Sequence, residues 1–368
     1  MKKAVRILGT RGIPARHGGF ESFTEPLAVD LARKGWDVSV YCQEPHGSPA
    51  REELWRGVRL VHVPARGSSA SVASVAFDLK STLHAARSGE LALVMGYNTA
   101  LFSAWYRLRG IPSLMNMDGL DLLRPKWRPP VRQFFQLNER LGCSLPDHLI
   151  ADHPAIADYL ATRVDRSKVS MIPYGANRVT EADPAPVRAL GLEPGGYCLV
   201  ICRPESGHSL EEIVRSFSAR KRPAKLVLLG NYLESSEYHR RIRSLAGEDV
   251  VFPGAIYDKP LVEALRFHAM LYVHGHCFGG TNPSLVEALG AGSPVLARDN
   301  KYNRWVAGAG ARFFDGEQQL ASELDELIGD AALRARMREA SWARHAEEFS
   351  WESSLGRYES LLERWLPR

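Results

Sequence analysis

Cysteine is scarce in this 368-residue chain. Cys42, Cys143, Cys198, Cys202 and Cys277 are odd in number and scattered, which excludes a disulfide framework and fits a reducing compartment. Cys198 and Cys202 share the apolar run Tyr197–Cys202. As a strand, four residues there span roughly 13 Å, too far for one metal, so both read as core thiols. Long hydrophobic runs are also missing: none reaches the roughly 20 residues that a spanning helix needs. The start has two lysines but too short an apolar stretch for a secretory leader, so a cytoplasmic location is expected. There is no D-x-D motif and no metal-ligand spacing, and neither a metal nor another cofactor is expected. The chain has no nucleophile elbow, no G-x-G-x-x-G or Walker loop, no internal repeat and no low-complexity tract. No nucleic-acid partner is expected.

What is present is an ordinary globular composition, 45% hydrophobic and 24% charged, at about twice the usual single-domain length. Charge is uneven. Residues 1–177 hold 23 Lys+Arg against 16 Asp+Glu, an excess of +7, whereas residues 178–368 hold 24 against 26, or −2. Such asymmetry marks an anionic partner of the first half or ordinary solvated surface.

Strand and helix signals alternate along most of the chain. Ala4–Leu8 reads as a strand, followed by a Gly-rich loop and a helix over Glu21–Lys34. Further strands are expected at Val38–Tyr41, Val58–Val63, Leu91–Met95, Ser113–Met117, His148–Ala151 and Val169–Ile172, with helices between several of them. Turn formers at Pro173–Asn177 suggest a junction, after which the pattern restarts at Tyr197. Ser209 and Glu212 have capping-box spacing ahead of an amphipathic helix. The expectation is α/β architecture: two Rossmann-like, doubly wound domains facing a cleft, at residues 1–177 and 178–345, with a terminal helix over 346–368.

The stretch His276–Glu287 is the most informative. An apolar run, Ala269–Val273, leads into Gly279-Gly280-Thr281-Asn282-Pro283-Ser284. Asn282 suits an N-cap and Pro283 the first helical position. Glycines admit a ligand to the backbone, and a helix start offers N–H groups to a diphosphate. Glu287 lies one turn on, and helical side chains lean back toward the N-terminus. Its carboxylate can accept hydroxyl protons from a ribose. Anion site plus diol acceptor points to a nucleoside diphosphate; the bland alternative is a strand–helix turn with a surface glutamate.

Other segments carry weaker signals. Gly18 and Gly19 close the loop after the first strand, where backbone can approach a ligand. Arg203 directly follows the strand Tyr197–Cys202, with His208 nearby; a guanidinium there can neutralise phosphate oxygens. Asp118 ends another strand and reads either as a cleft carboxylate or as a turn cap. The segment Arg124–Arg132 mixes basic groups with Trp127 and suits anionic lipid head groups, or is a solvated loop.

Several strings together resemble the family 4 glycosyltransferases, in particular the bacterial branch that includes rhamnosyltransferases of surface-polysaccharide assembly. They are GTRGIPARHGGFE from Gly9, VASVAFDL from Val72, NMDGLD from Asn116, IPYGAN from Ile172, and HGHCFGGTNPSLVEALGAGSPVLARDN from His274. The resemblance implies a GT-B fold with the donor bound mainly by the second domain. It also implies transfer from a nucleotide sugar, such as dTDP-rhamnose, with retained configuration and no essential metal. The implied acceptor is a glycan or a lipid-linked saccharide, with peripheral attachment to the inner face of the membrane. By position, Glu287 would hold ribose hydroxyls. Arg203 and the amides from Gly280 to Ser284, including Thr281 and Asn282, would face the diphosphate or the sugar. Gly18 and Gly19 would approach donor phosphates, Ile256 and Tyr257 would receive the base, and Asp118 would lie near the transferred sugar. The tail helix would return to the first domain.

Two positions depart from the family pattern. Gly279 stands where the first of two paired glutamates is usual, and His208 stands in place of a lysine. These changes retune donor choice or weaken activity. His208 carries charge only when protonated, a state that phosphates favour. In the implied mechanism the acceptor hydroxyl attacks on the face that the nucleotide leaves, and a leaving-phosphate oxygen takes its proton. Arg203, His208 and the amides then stabilise charge on the diphosphate. A nucleotide-sugar epimerase and a catalytically silent nucleotide-sugar binder are the alternatives.

Overall fold

The computed structural model describes residues 3–15, 18–67, 69–117 and 129–367. The chain divides into two compact units, residues 1–173 with 354–368, and residues 174–353. The first division falls four residues before the expected 177, and the second eight residues after the expected 345.

The first unit contains an eight-stranded sheet. Its strands are β1 (Ala4–Leu8), β2 (Asp37–Glu44), β3 (Arg51–Trp55), β4 (Val58–Pro64), β5 (Leu91–Met95), β6 (Ser113–Asn116), β7 (His148–Ala151) and β8 (Val169–Met171). Their spatial order is β3-β4-β2-β1-β5-β6-β7-β8. All neighbours are parallel except β3 and β4. The helices are α1 (Gly19–Arg33), α2 (Ala70–Ala85), α3 (Ala104–Leu108), α4 (Pro129–Ser144) and α5 (Pro154–Ala161). Strand β5 is buried along its whole length, as a parallel strand covered on both faces must be. Strand β3 was not expected. Its Arg51, Glu52 and Glu53 give no apolar alternation, and it is an exposed edge whose Glu52 pairs with Arg59 across the hairpin at 3.2 Å. Charge on an edge strand deters pairing with another chain.

The terminal residues Ser354–Arg368 belong to this first unit. Tyr358 is fully buried, its ring 4.8 Å from that of Phe23, and its hydroxyl accepts from Asn116 Nδ2 at 2.8 Å. Glu359 accepts from Lys34 Nζ at 2.8 Å.

The second unit contains a six-stranded parallel sheet: β9 (Tyr197–Ile201), β10 (Lys225–Leu229), β11 (Val250–Gly254), β12 (Leu271–His274), β13 (Val295–Arg298) and β14 (Arg312–Phe314). Spatial order is β11-β10-β9-β12-β13-β14. Its helices are α6 (Ala185–Ala189), α7 (Leu210–Ser218), α8 (Glu237–Ser244), α9 (Lys259–Phe267), α10 (Pro283–Gly290), α11 (Lys301–Ala307), α12 (Glu317–Gly329) and α13 (Ala331–Glu348); α14 (Trp351–Arg364) starts here and runs into the tail.

Alternation along the strands explains why helices cover both faces. Tyr197, Leu199, Val227, Leu229, Tyr272 and Val295 point to one face and pack with Leu265, Leu285, Leu289 and Val306. Cys198, Val200, Leu226, Leu228, Leu271 and Val273 point to the other and pack with Ile213, Phe217, Leu320 and Leu324. Period-two side-chain direction on a parallel sheet thus requires a helical layer on each side. The doubly wound expectation holds. Cys198 is a core thiol that burial pushes up to about 12.

One capping expectation fails. Ser209 has φ 48 and makes no side-chain cap, because the 3₁₀ turn Ser206–His208 feeds directly into α7. Glu212 pairs instead with Arg298 Nη1, at 2.8 and 2.6 Å to its two oxygens.

Candidate functional site

In the second unit the chain goes outward from β9 through β10 to β11, then returns to lay β12 on the opposite side of β9. The carboxyl ends of β9 and β12 are therefore the point where the winding reverses, the usual place for a ligand in an open parallel sheet. The segments that leave these two ends, Cys202–His208 and Gly275–Asn282, hold Arg203, His208, Gly279, Gly280, Thr281 and Asn282.

The two segments are locked together. Cys277 N donates to Gly207 O at 2.9 Å. A Cβ on Gly275 would lie 2.2 Å from the His208 carbonyl oxygen, so this approach requires glycine. The rings of His208 and His276 lie 3.9 Å apart, and those of His276 and His274 stack at 4.3 Å. Asn300 and Asn303, from the segment after β13, donate to His276 O at 3.0 and 2.8 Å. The loop is thus pinned from both sides.

His208 is buried, and its Nδ1 lies 2.6 Å from Arg203 O. A carbonyl only accepts, so Nδ1 carries the hydrogen. Neutral His208 then offers a lone pair at Nε2, and only the imidazolium offers a second N–H. His274, fully buried behind it, is lowered to about 3 by burial and by the neighbouring His208. Arg203 is 72% exposed at its side chain, with Glu205 Oε1 3.7 Å away, so its guanidinium is free to reach an anion.

Helix α10 starts as expected. Asn282 Oδ1 accepts from Ser284 N at 3.0 Å, and Pro283 takes the first position. Leu285 N and Val286 N both donate to Asn282 O, at 3.0 and 3.1 Å. The first amides of the helix are therefore engaged internally. Those of Gly279 and Gly280, just ahead, make no hydrogen bond among the described residues; Gly279 is half-buried and Gly280 buried. Thr281 is buried beside them. Ser284 is engaged within the unit: its hydroxyl lies 2.7 Å from Tyr272 OH and 3.3 Å from Ile201 O. Gly279 has φ 136, a conformation that side chains rarely adopt, with open space around the position of a Cβ.

Glu287 lies one turn into α10 and is half-exposed. Arg266 Nη2 pairs with its Oε2, and the same Nη2 donates to Ser284 Oγ at 3.3 Å. Arg266, on α9, is buried and was not singled out from the sequence. It is the one charge on the buried face of a helix that otherwise buries Ala264 and Leu265, and its partner comes from another helix. Beyond β11, Ile256 packs against the core and Tyr257 is 69% exposed. A flat, exposed ring of this kind can stack on a base.

In the first unit the winding reverses between β1 and β5. The loop after β1 ends at Gly18, with φ 106, and α1 starts at Gly19. Glu21 Oε1 accepts from Arg11 N at 2.8 Å and Glu25 Oε2 from Ala15 N at 2.7 Å. A carboxylate already sits at this helix start, which disfavours a second anion there. Asp118, Arg124, Lys126 and Arg128 lie outside the described residues. Arg132 is exposed on α4. Among the described residues no group of three His, Cys, Asp or Glu is placed to hold a metal.

Residues 18–175 match the glycosyl transferase 4-like domain family. The sequence has no significant match among curated proteins. Among solved structures, sucrose-phosphate synthase from Thermosynechococcus elongatus matches with TM-score 0.83 and 16% identity, over 99% of each chain. HepE of Anabaena, in complex with UDP, matches with TM-score 0.75 and 14% identity, over 99% of this chain and 100% of that one. The UDP-forming α,α-trehalose-phosphate synthase of Burkholderia vietnamiensis matches with TM-score 0.73 and 15% identity, over 99% of this chain and 97% of that one. At these identities the likeness is one of fold. The two units have the GT-B fold class, two parallel-rich α/β sheets with interleaved helices.

Proposed function

We propose that the protein is a retaining, metal-independent glycosyltransferase. It moves a sugar from a nucleoside-diphosphate sugar to a glycan or lipid-linked acceptor in cell-surface polysaccharide synthesis. The observation that carries this reading is the arrangement at the β9/β12 reversal. There, the Gly279 and Gly280 amides without a hydrogen bond among the described residues, an exposed Arg203 and the Glu287 carboxylate follow one another within one unit. Amides and a guanidinium suit a diphosphate, and a carboxylate one turn on suits a ribose hydroxyl. Ile256 and Tyr257 receive the base. Solved relatives in complex with UDP and UDP-2-fluoro glucose support the same donor class. The sequence resemblance favours dTDP-rhamnose as donor.

Catalysis on this reading is electrostatic. Arg203, protonated His208 and the Gly279–Gly280 amides balance charge that grows on the leaving diphosphate. The reactants supply the proton acceptor, a leaving-phosphate oxygen. No helix among the described residues is long and apolar enough to cross a membrane.

Incubation with labelled nucleotide sugars, with and without membrane lipid and in excess chelator, tests the proposal. Labelled acceptor is the expected product. An isomerised donor indicates an epimerase, binding without turnover indicates a silent binder, and turnover restored only by added magnesium or manganese overturns metal independence.

A further inference from the structure

Glu287 is 41% exposed at its side chain, whereas the Arg266 side chain that it pairs with is 6% exposed. An exposed glutamate on a helix explores several rotamers, and fixing it costs entropy. Here a buried guanidinium does the fixing. Arg266 Nη2 is held between Glu287 Oε2 and Ser284 Oγ, and Ser284 Oγ is anchored by Tyr272 OH at 2.7 Å. Ser293 Oγ donates to Arg266 O at 2.8 Å, which fixes the backbone below. Arg266 Nε is buried without a hydrogen bond among the described residues. A buried cation with an unpaired N–H is costly, and an apolar residue would serve packing at least as well. The arrangement makes sense if the geometry it imposes on Glu287 is used.

We propose that Arg266 is the positioning residue for nucleoside recognition. It occupies Oε2 of Glu287 and leaves Oε1 to accept one hydroxyl of the donor pentose. This inference rests on the donor-binding reading above. It changes that reading in one respect: with one oxygen taken, Glu287 grips the 3′-hydroxyl, which ribose and deoxyribose both carry, more than it bridges a diol.

The test is calorimetry on the whole protein. The probe is whichever of UDP, GDP, ADP, CDP and dTDP binds best, compared with its 3′-deoxy counterpart. Wild type should prefer the 3′-hydroxyl form by about tenfold or more, the usual worth of a hydrogen bond to a charged group. Glu287→Ala should bring that ratio near one. Arg266→Gln should lower it to about threefold or less, and Arg266→Lys should recover part of it. A purely structural arginine predicts weaker binding of both probes at an unchanged ratio, and that result overturns the inference. If the Arg266 variants do not fold, Ser284→Ala, which removes the second acceptor of the same Nη2, should cut the ratio about threefold; an unchanged ratio there overturns it equally. Loss of preference in Glu287→Ala but not in Arg266→Gln rejects the positioning role alone. Wild type without binding, or without preference, rejects the pentose reading and this inference with it.

Discussion

His208 donates through Nδ1 to the backbone carbonyl of Arg203 at 2.6 Å. This bond fixes the tautomer, so His208 presents an N–H to a phosphate only when it is protonated. On this reading nucleoside diphosphate affinity is greater with His208 protonated and rises toward acid pH. His208→Lys should remove the slope by supplying a constant charge, and His208→Gln should remove it while weakening binding about tenfold at the acid end. Calorimetry at several pH values checks this. An identical slope in wild type and His208→Gln would assign the pH dependence elsewhere.

Gly279 replaces a glutamate that the resembled family commonly carries, yet Gly279→Glu should not improve donor use. With φ 136 the position holds glycine comfortably and other residues at a strain of about 1–3 kcal/mol. The variant should weaken nucleotide binding by distorting the adjacent Gly280 amide. Tighter binding would show that the loop re-forms around the carboxylate.

Asp78, half-buried on α2, accepts from Thr99 Oγ1 at 2.8 Å, and burial pushes it up to about 6. Because its folded value lies above the unfolded 3.8, its contribution to stability is full below about pH 4 and lost as pH rises through 6. At neutral pH the ionised carboxylate costs up to roughly 2–3 kcal/mol. Asp78→Asn should raise Tm at pH 7 and lose that advantage below pH 4. Denaturant curves at both pH values decide, and equal stability at pH 7 contradicts the burial argument.

Much of this architecture was legible because the second sheet alternates so regularly: Tyr197, Leu199, Cys198 and Val200 announce a strand covered on two faces. Asn282 and Pro283 announced their helix start because capping is a local interaction. Ser209 misled, since the spacing to Glu212 is right but the turn before it imposes a left-handed backbone. The hairpin strand Arg51–Trp55 was invisible because an edge strand needs no apolar face. Arg266 was invisible for another reason. Its partners Glu287 and Ser284 lie about twenty residues away and meet it only through the packing of α9 against α10.

The +7 excess of residues 1–177 and the exposed Val131, Phe134 and Leu137 on α4 lead to a membrane prediction. Flotation with anionic liposomes should carry the protein at low salt and release it at high salt, at about 1 kcal/mol per basic residue near the surface. Neutralising Arg124, Lys126, Arg128 and Arg132 together should abolish flotation. A protein that stays in solution at low salt would assign the charge to ordinary surface.

The most direct test of the account is the affinity of a nucleoside diphosphate for wild type, Glu287→Gln and Glu287→Ala, measured by calorimetry on folded protein. Glu287→Ala also leaves the buried Arg266 without its anion and should melt earlier, which is why the Gln variant is needed. Loss of the charge-assisted contact should weaken binding by roughly 2–3 kcal/mol in Glu287→Ala, with Glu287→Gln intermediate. Unchanged affinity in both folded variants would contradict a pentose-binding role for Glu287, and with it the placement of the donor at the β9/β12 reversal.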